Sequence, residues 1–93
     1  MLYTVTIRGS GLEFQLTDKS PFKAGIAVRK LFDAEYKAQG LKGKAHVSIS
    51  LSLGDIEVFR AHGMGLRSAC QSYRSHLNRM EDPEDILAKK GRR

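Results

Sequence analysis

Arg60, Arg67, Arg74 and Arg79, with His62 and His76, fall between Val58 and Met80 in a stretch that contains no Asp or Glu. The chemistry this offers is capture of anions, because a guanidinium presents paired, charge-assisted donors to phosphate or carboxylate. A solvated helix usually sets acids one turn from its cations. Here Ser, Gln and Asn fill those places, which leaves the positive charge for an outside partner. Stepping Leu66 to Met80 at about 100° per residue gathers Leu66, Ala69, Cys70, Tyr73, Leu77 and Met80 into one apolar stripe. Arg67, Gln71, Arg74 and Asn78 form a row beside it, and Ser68, Ser72, Ser75 and Arg79 complete the exposed side. Neutral donors set among arginines suit a phosphate backbone. The competing reading is an ordinary solvated face in a basic protein, since composition alone does not separate the two.

A second row comes from Lys23, Lys30 and Lys37, which recur every seven residues with Ala27 and Ala34 between them. Solubilising charge explains such a row as well as binding does. Arg29 stands one turn from Asp33 and is expected to pair with it. Lys23 and Arg67 each fall in the first turn of an expected helix, where the macrodipole disfavours a cation and favours an anion. The run His62-Gly63-Met64-Gly65 reads as a glycine-rich loop entering the second helix, open enough for backbone to approach a phosphate. It lacks the third glycine and the parallel βαβ setting of a dinucleotide site, and no Walker lysine follows. Lys42 and Lys44 lie in a basic loop that could extend a phosphate track from Lys37.

Reaction chemistry is sparse. Cys70 sits in the apolar stripe, where thiols are usually inert core. Cys70 and His76 project about 120° apart on one helix, so they do not converge on a metal with His62. His46 alternates outward among serines with no carboxylate spaced to orient it as a base. The expectation is a protein that is not an enzyme and uses neither a metal nor a cofactor. No residue pattern carries a family resemblance.

These residues need elements to hold them. Tyr3, Val5 and Ile7 alternate with Thr4 and Thr6, and the same period resumes at Leu12, Phe14 and Leu16 after Gly9-Ser10-Gly11, which gives a hairpin. Ser20-Pro21 places an N-cap and an N1 proline, predicting a helix that runs to Gln39 and stops at Gly40. His46 to Leu53 alternates without a fault, Gly54-Asp55 suits a tight turn, and Ile56 to Phe59 returns as the partner strand. Leu66 to Met80 closes a ββαββα order. The fold class expected is α+β, a two-layer domain with a four-stranded antiparallel sheet and two helices packed on one face.

The other sheet face should show Thr4, Thr6, Glu13, Gln15, His46, Ser48, Ser50, Ser52 and Glu57, with Phe59 the only aromatic turned outward. That excludes the paired stacking aromatics of an RNA-recognition sheet. Residues 1–80 form the expected domain. The remainder, 81–93, reads as a basic tail in which Asp82-Pro83 starts a short helix ending near Lys89 and Lys90.

Ninety-three residues with 41% hydrophobic content suffice for one core. A single cysteine points to a reducing cytosol, the N-terminus reads as a strand and not a leader, and no apolar run is long enough for a bilayer. The net charge of +6 favours polyanionic partners. The first functional expectation is a non-catalytic binding protein for nucleic acid or a nucleoprotein complex. Its contacts would come from Arg60, His62, Arg67, Gln71, Arg74, Asn78 and Arg79, with Lys23, Lys30, Lys37, Lys42 and Lys44 as a second track. The alternative is a small inhibitor or adaptor that docks on an acidic protein surface, as phage-type inhibitors of host defence or nucleic-acid-processing complexes do. Oligomeric state is not legible.

Overall fold

The computed structural model describes residues 2–80. The short tail helix expected after Asp82 lies outside the described residues. Strands β1 (Tyr3–Gly9) and β2 (Leu12–Asp18) form the first hairpin. Ser10 and Gly11 both take positive φ, 52° and 78°, so the turn has the twist that joins antiparallel strands directly. Gly9 therefore belongs to the strand, and the connection is tighter than a flexible three-residue loop. Helix α1 (Pro21–Ala38) begins at the expected N-cap: the Ser20 hydroxyl accepts from the Lys23 amide at 3.3 Å, and the Asp18 carboxylate accepts from the Ser20 amide at 2.9 Å. It ends at Gln39, and Gly40 follows with φ 67°. Replacing Ser20 with Ala removes the capping acceptor at a cost of about 1 kcal/mol. A thermal melt should show a fall of about 4–8 °C for a domain of this size.

Strands β3 (His46–Leu53) and β4 (Ile56–Met64) form the second hairpin, and helix α2 (Leu66–Arg79) follows. Each strand is antiparallel to its neighbours in the order β2-β1-β3-β4. The first and third strands are therefore central, and their alternating apolar residues supply the floor of the core: Val5, Ile7, Ile49 and Leu51 are at most 1% exposed. Helix α1 covers β1 and β2, and α2 covers β4 and part of β3. Ala24, Val28 and Phe32 descend from α1, and Ala69, Cys70, Tyr73 and Leu77 from α2. Leu66, at the start of α2, lines the same small cavity as Phe32 and Tyr36 near the end of α1. The Tyr73 hydroxyl donates to the Pro21 carbonyl, at the start of α1, at 2.9 Å. The two helices are thus antiparallel.

One strand is longer than its pattern indicates. β4 continues past Phe59 through the glycine run to Met64. Its register is broken by a bulge: Leu51 faces Phe59 while Ser52 faces Glu57, with Val58 between the two pairs. The extra residue shifts the phase of everything beyond it. Phe59, Ala61 and Gly63 turn toward the helices, and Arg60 and His62 turn away. Phe59 is not an outward aromatic. Its ring lies 5.5 Å from that of Tyr73 and stacks on His76 at 5.3 Å.

Candidate anion-docking surface

Two antiparallel helices on one sheet face must leave a furrow between them, and its depth depends on the side chains that meet there. Gly25 lets the Tyr73 ring pack directly against α1, since a Cβ at that position would lie 2.9 Å from the ring. Beside this contact the helices part over Ile49 of the sheet, and a cavity of about 300 Å³ opens. Phe22, Ile26 and Arg29 border it from α1, and Cys70, Tyr73 and Arg74 from α2. Phe22 is 43% exposed and Ile26 is 50% exposed, so the furrow has an open apolar rim. Burial pushes the Cys70 thiol pKa up, against the opposing pull of the Arg29 and Arg74 guanidiniums. The same desolvation raises the Tyr73 phenol well above its ordinary value. A thiol held protonated in this way is a poor nucleophile. Its place is in the wall of the groove.

The arginine row divides. Arg67 and Arg74 are seven residues apart, nearly two full turns, and share the flank of α2 that faces the groove. Gln71 and Asn78 stand next to them on the outer surface, and all four are exposed. Arg79 lies roughly 120° round the helix from this row, on the side toward β4. Lys23, Lys30 and Lys37 stand on the outer face of α1, opposite its buried residues, and all three are exposed. The Asp33 carboxylate pairs with Lys37 at 3.0 Å and not with Arg29. That corrects the expected Arg29–Asp33 pair: Arg29 and Lys37 each stand one turn from Asp33, and Arg29 instead lines the groove. Arg29, Arg67 and Arg74 have no ion-pair partner among the described residues. Neither helix has an acid in its first turn. Lys42 and Lys44 are exposed in the loop between α1 and β3, and the Lys44 methylenes run beside Gly65 at the entry to α2.

Two expected contact residues fall elsewhere. Arg60 and His62 lie across the sheet from the helices, because the bulge reverses their side. Arg60 donates to Glu57 at 2.8 Å, an acid one residue before the acid-free stretch begins. His62 meets His46 with their ring nitrogens 3.0 Å apart and the rings stacked. These residues belong to the open sheet face, where Arg8 also pairs with Glu13. The glycine run is likewise no phosphate loop. Gly63 is a strand residue pressed under the first turn of α2, and a Cβ there would sit 2.4 Å from the Ala69 amide nitrogen.

The sequence reading missed the groove. Its signal was present in Phe22 and Ile26, apolar residues on α1 that lie off the buried Ala24-Val28-Phe32 line. Among the described residues, no three His, Cys, Asp or Glu side chains are placed to hold a metal. No helix among them is long and apolar enough to cross a membrane. Compared with known proteins, the chain matches no family model, no curated sequence and no solved structure.

Proposed function

We propose that this protein is a non-catalytic docking module whose helix layer engages an acidic protein surface, in the manner of a small inhibitor or adaptor. The observation that carries this reading is the company of Arg29 and Arg74: guanidiniums with no ion-pair partner among the described residues, beside exposed Phe22 and Ile26 over an apolar groove. A phosphate backbone needs cations and polar donors but no apolar floor. A protein partner uses both, with arginine and aromatic groups near the centre of the contact and charge around it. Arg67 extends the positive flank, Gln71 and Asn78 add neutral donors, and the outer lysines of α1 supply long-range attraction.

Nucleic acid is the second reading, favoured by the lysine row and by the neutral donors beside Arg67 and Arg74. The variant carrying both Arg67→Ala and Arg74→Ala separates the two. Both side chains are exposed, so its melting temperature should match that of the wild type. Its affinity for poly-L-glutamate at low salt should fall about tenfold, with a shallower dependence on salt. Tight, strongly salt-dependent binding of oligonucleotides together with indifference to poly-L-glutamate would establish nucleic acid as the partner instead. Equal binding by wild type and variant would reduce the row to a solvated face.

A further inference from the structure

The acidic-partner reading assigns charge but no specificity, and the groove supplies a candidate for it. We infer that the furrow between α1 and α2 is a receptor for one bulky apolar side chain of the partner, aromatic or branched aliphatic, flanked in its own chain by carboxylates. This inference rests on the acidic-partner reading and names the segment that such a partner would present.

The cavity of about 300 Å³ is floored by Ile49 and walled by Cys70 and Tyr73, with Phe22 and Ile26 forming the other bank. Ile49 is 1% exposed and Tyr73 is 3% exposed, so the floor is set by core packing and does not move freely. The Tyr73 ring is further pinned by its hydroxyl bond to the Pro21 carbonyl, 2.9 Å away across the groove end. Such a site is preformed, which lowers the entropy lost on binding. The banks are different. Phe22 and Ile26 keep about half of their surface in water. A small amphiphile inserted between them would leave that rim wet, whereas small-molecule sites usually enclose most of their ligand. A polypeptide laid along the furrow covers the rim while one side chain fills the well.

Charge fixes the flanks of that polypeptide. Arg29 stands on one bank and Arg74 on the other, so a carboxylate on either side of the inserted residue meets a guanidinium. Among the described residues neither arginine is in an ion pair, and Asp33, one turn from Arg29, pairs with Lys37. Arginine at such a place also tolerates partial desolvation better than lysine, because its charge is spread and weakly hydrated.

The test is a methyl NMR titration of the intact chain with three probes. The first is the acetylated hexapeptide Glu-Asp-Glu-Phe-Asp-Glu, the second replaces its Phe with Ser, and the third is oligothymidylate. The Phe peptide should shift the Ile26 and Ile49 methyl resonances and bind at least about tenfold more tightly than the Ser peptide. Ile26→Ser should erase that preference, and Phe22→Ser should do the same should the first variant melt early. Equal affinity for the two peptides would overturn the receptor groove and leave the acidic-partner reading standing. Binding of oligothymidylate with neither peptide bound would overturn both. Absence of any Ile26 or Ile49 shift with the Phe peptide at millimolar concentration would overturn the groove alone.

Discussion

Gly63→Ala is expected to lower the melting temperature by more than about 12 °C, because its new methyl would meet the shortest contact of any described glycine. A Cβ at Gly63 would lie 2.4 Å from the Ala69 nitrogen, 2.7 Å from the Ser68 carbonyl carbon and 2.8 Å from the Ala69 Cα. All three atoms are backbone of the first turn of α2, so no rotamer change relieves the clash. Either β4 or the helix must move. Overpacking of this kind costs about 3 kcal/mol at the upper end of its usual range, and each kcal/mol is worth about 4–8 °C in a domain of this length. Gly25→Ala provides the contrast. Its Cβ would meet the Tyr73 ring at 2.9 Å, a side chain that can tilt at the expense of its bond to Pro21. The smaller fall expected for Gly25→Ala, measured in the same melts, would locate the stress at Gly63 in the backbone. A melting temperature for Gly63→Ala equal to the wild-type value would mean that α2 does not rest on β4 as described.

Phe32→Ala should cost about 3–5 kcal/mol, a large share of the roughly 5–15 kcal/mol that holds a typical domain together. Phe32 is 1% exposed and is the largest fully buried side chain among the described residues. Its ring meets the edge of Phe14 on β2 at 6.4 Å and stacks on Tyr36 at 6.2 Å, so it joins the first hairpin to the end of α1. Tyr36 in turn donates to the Gly43 carbonyl at 2.8 Å, which ties down the loop entering β3. Removing the ring leaves a void where these pieces meet, and the three cannot close on it together. Urea denaturation should show the midpoint falling with an unchanged slope. A reduced slope would indicate that the variant's native state had loosened around the loop.

These two residues mark what was and was not legible in the chain. Phe32 could be read in advance as part of an apolar face, because Ala24, Val28 and Phe32 recur at helical spacing. Gly63 could not, because the run from His62 to Gly65 reads as a glycine-rich loop. The missed signal was alternation that resumes out of phase: Phe59, Ala61 and Gly63 toward the helices, Arg60, His62 and Met64 away. A bulge inserts one residue and reverses every side chain beyond it, and local alternation gives no warning of that. Arg60 and His62 group with the arginine helix in the sequence for the same reason.

The sequence by itself determined the element order, the caps of α1, the limits of β3 and the apolar stripe of α2. Each of these follows from local chemistry: side-chain period, a serine before a proline, a glycine after a helix. It also determined that Arg67 and Arg74 share a flank, since helical geometry alone puts them there. Only the tertiary structure decided which flank of α2 faces α1 and that the helices part over Ile49. Those outcomes depend on residues far apart in the chain, among them Gly25 with Tyr73, Pro21 with Tyr73, and Arg29 with Arg74. The span between Arg29 and Arg74 is a distance in space, and it exists only once the two helices lie side by side on the sheet.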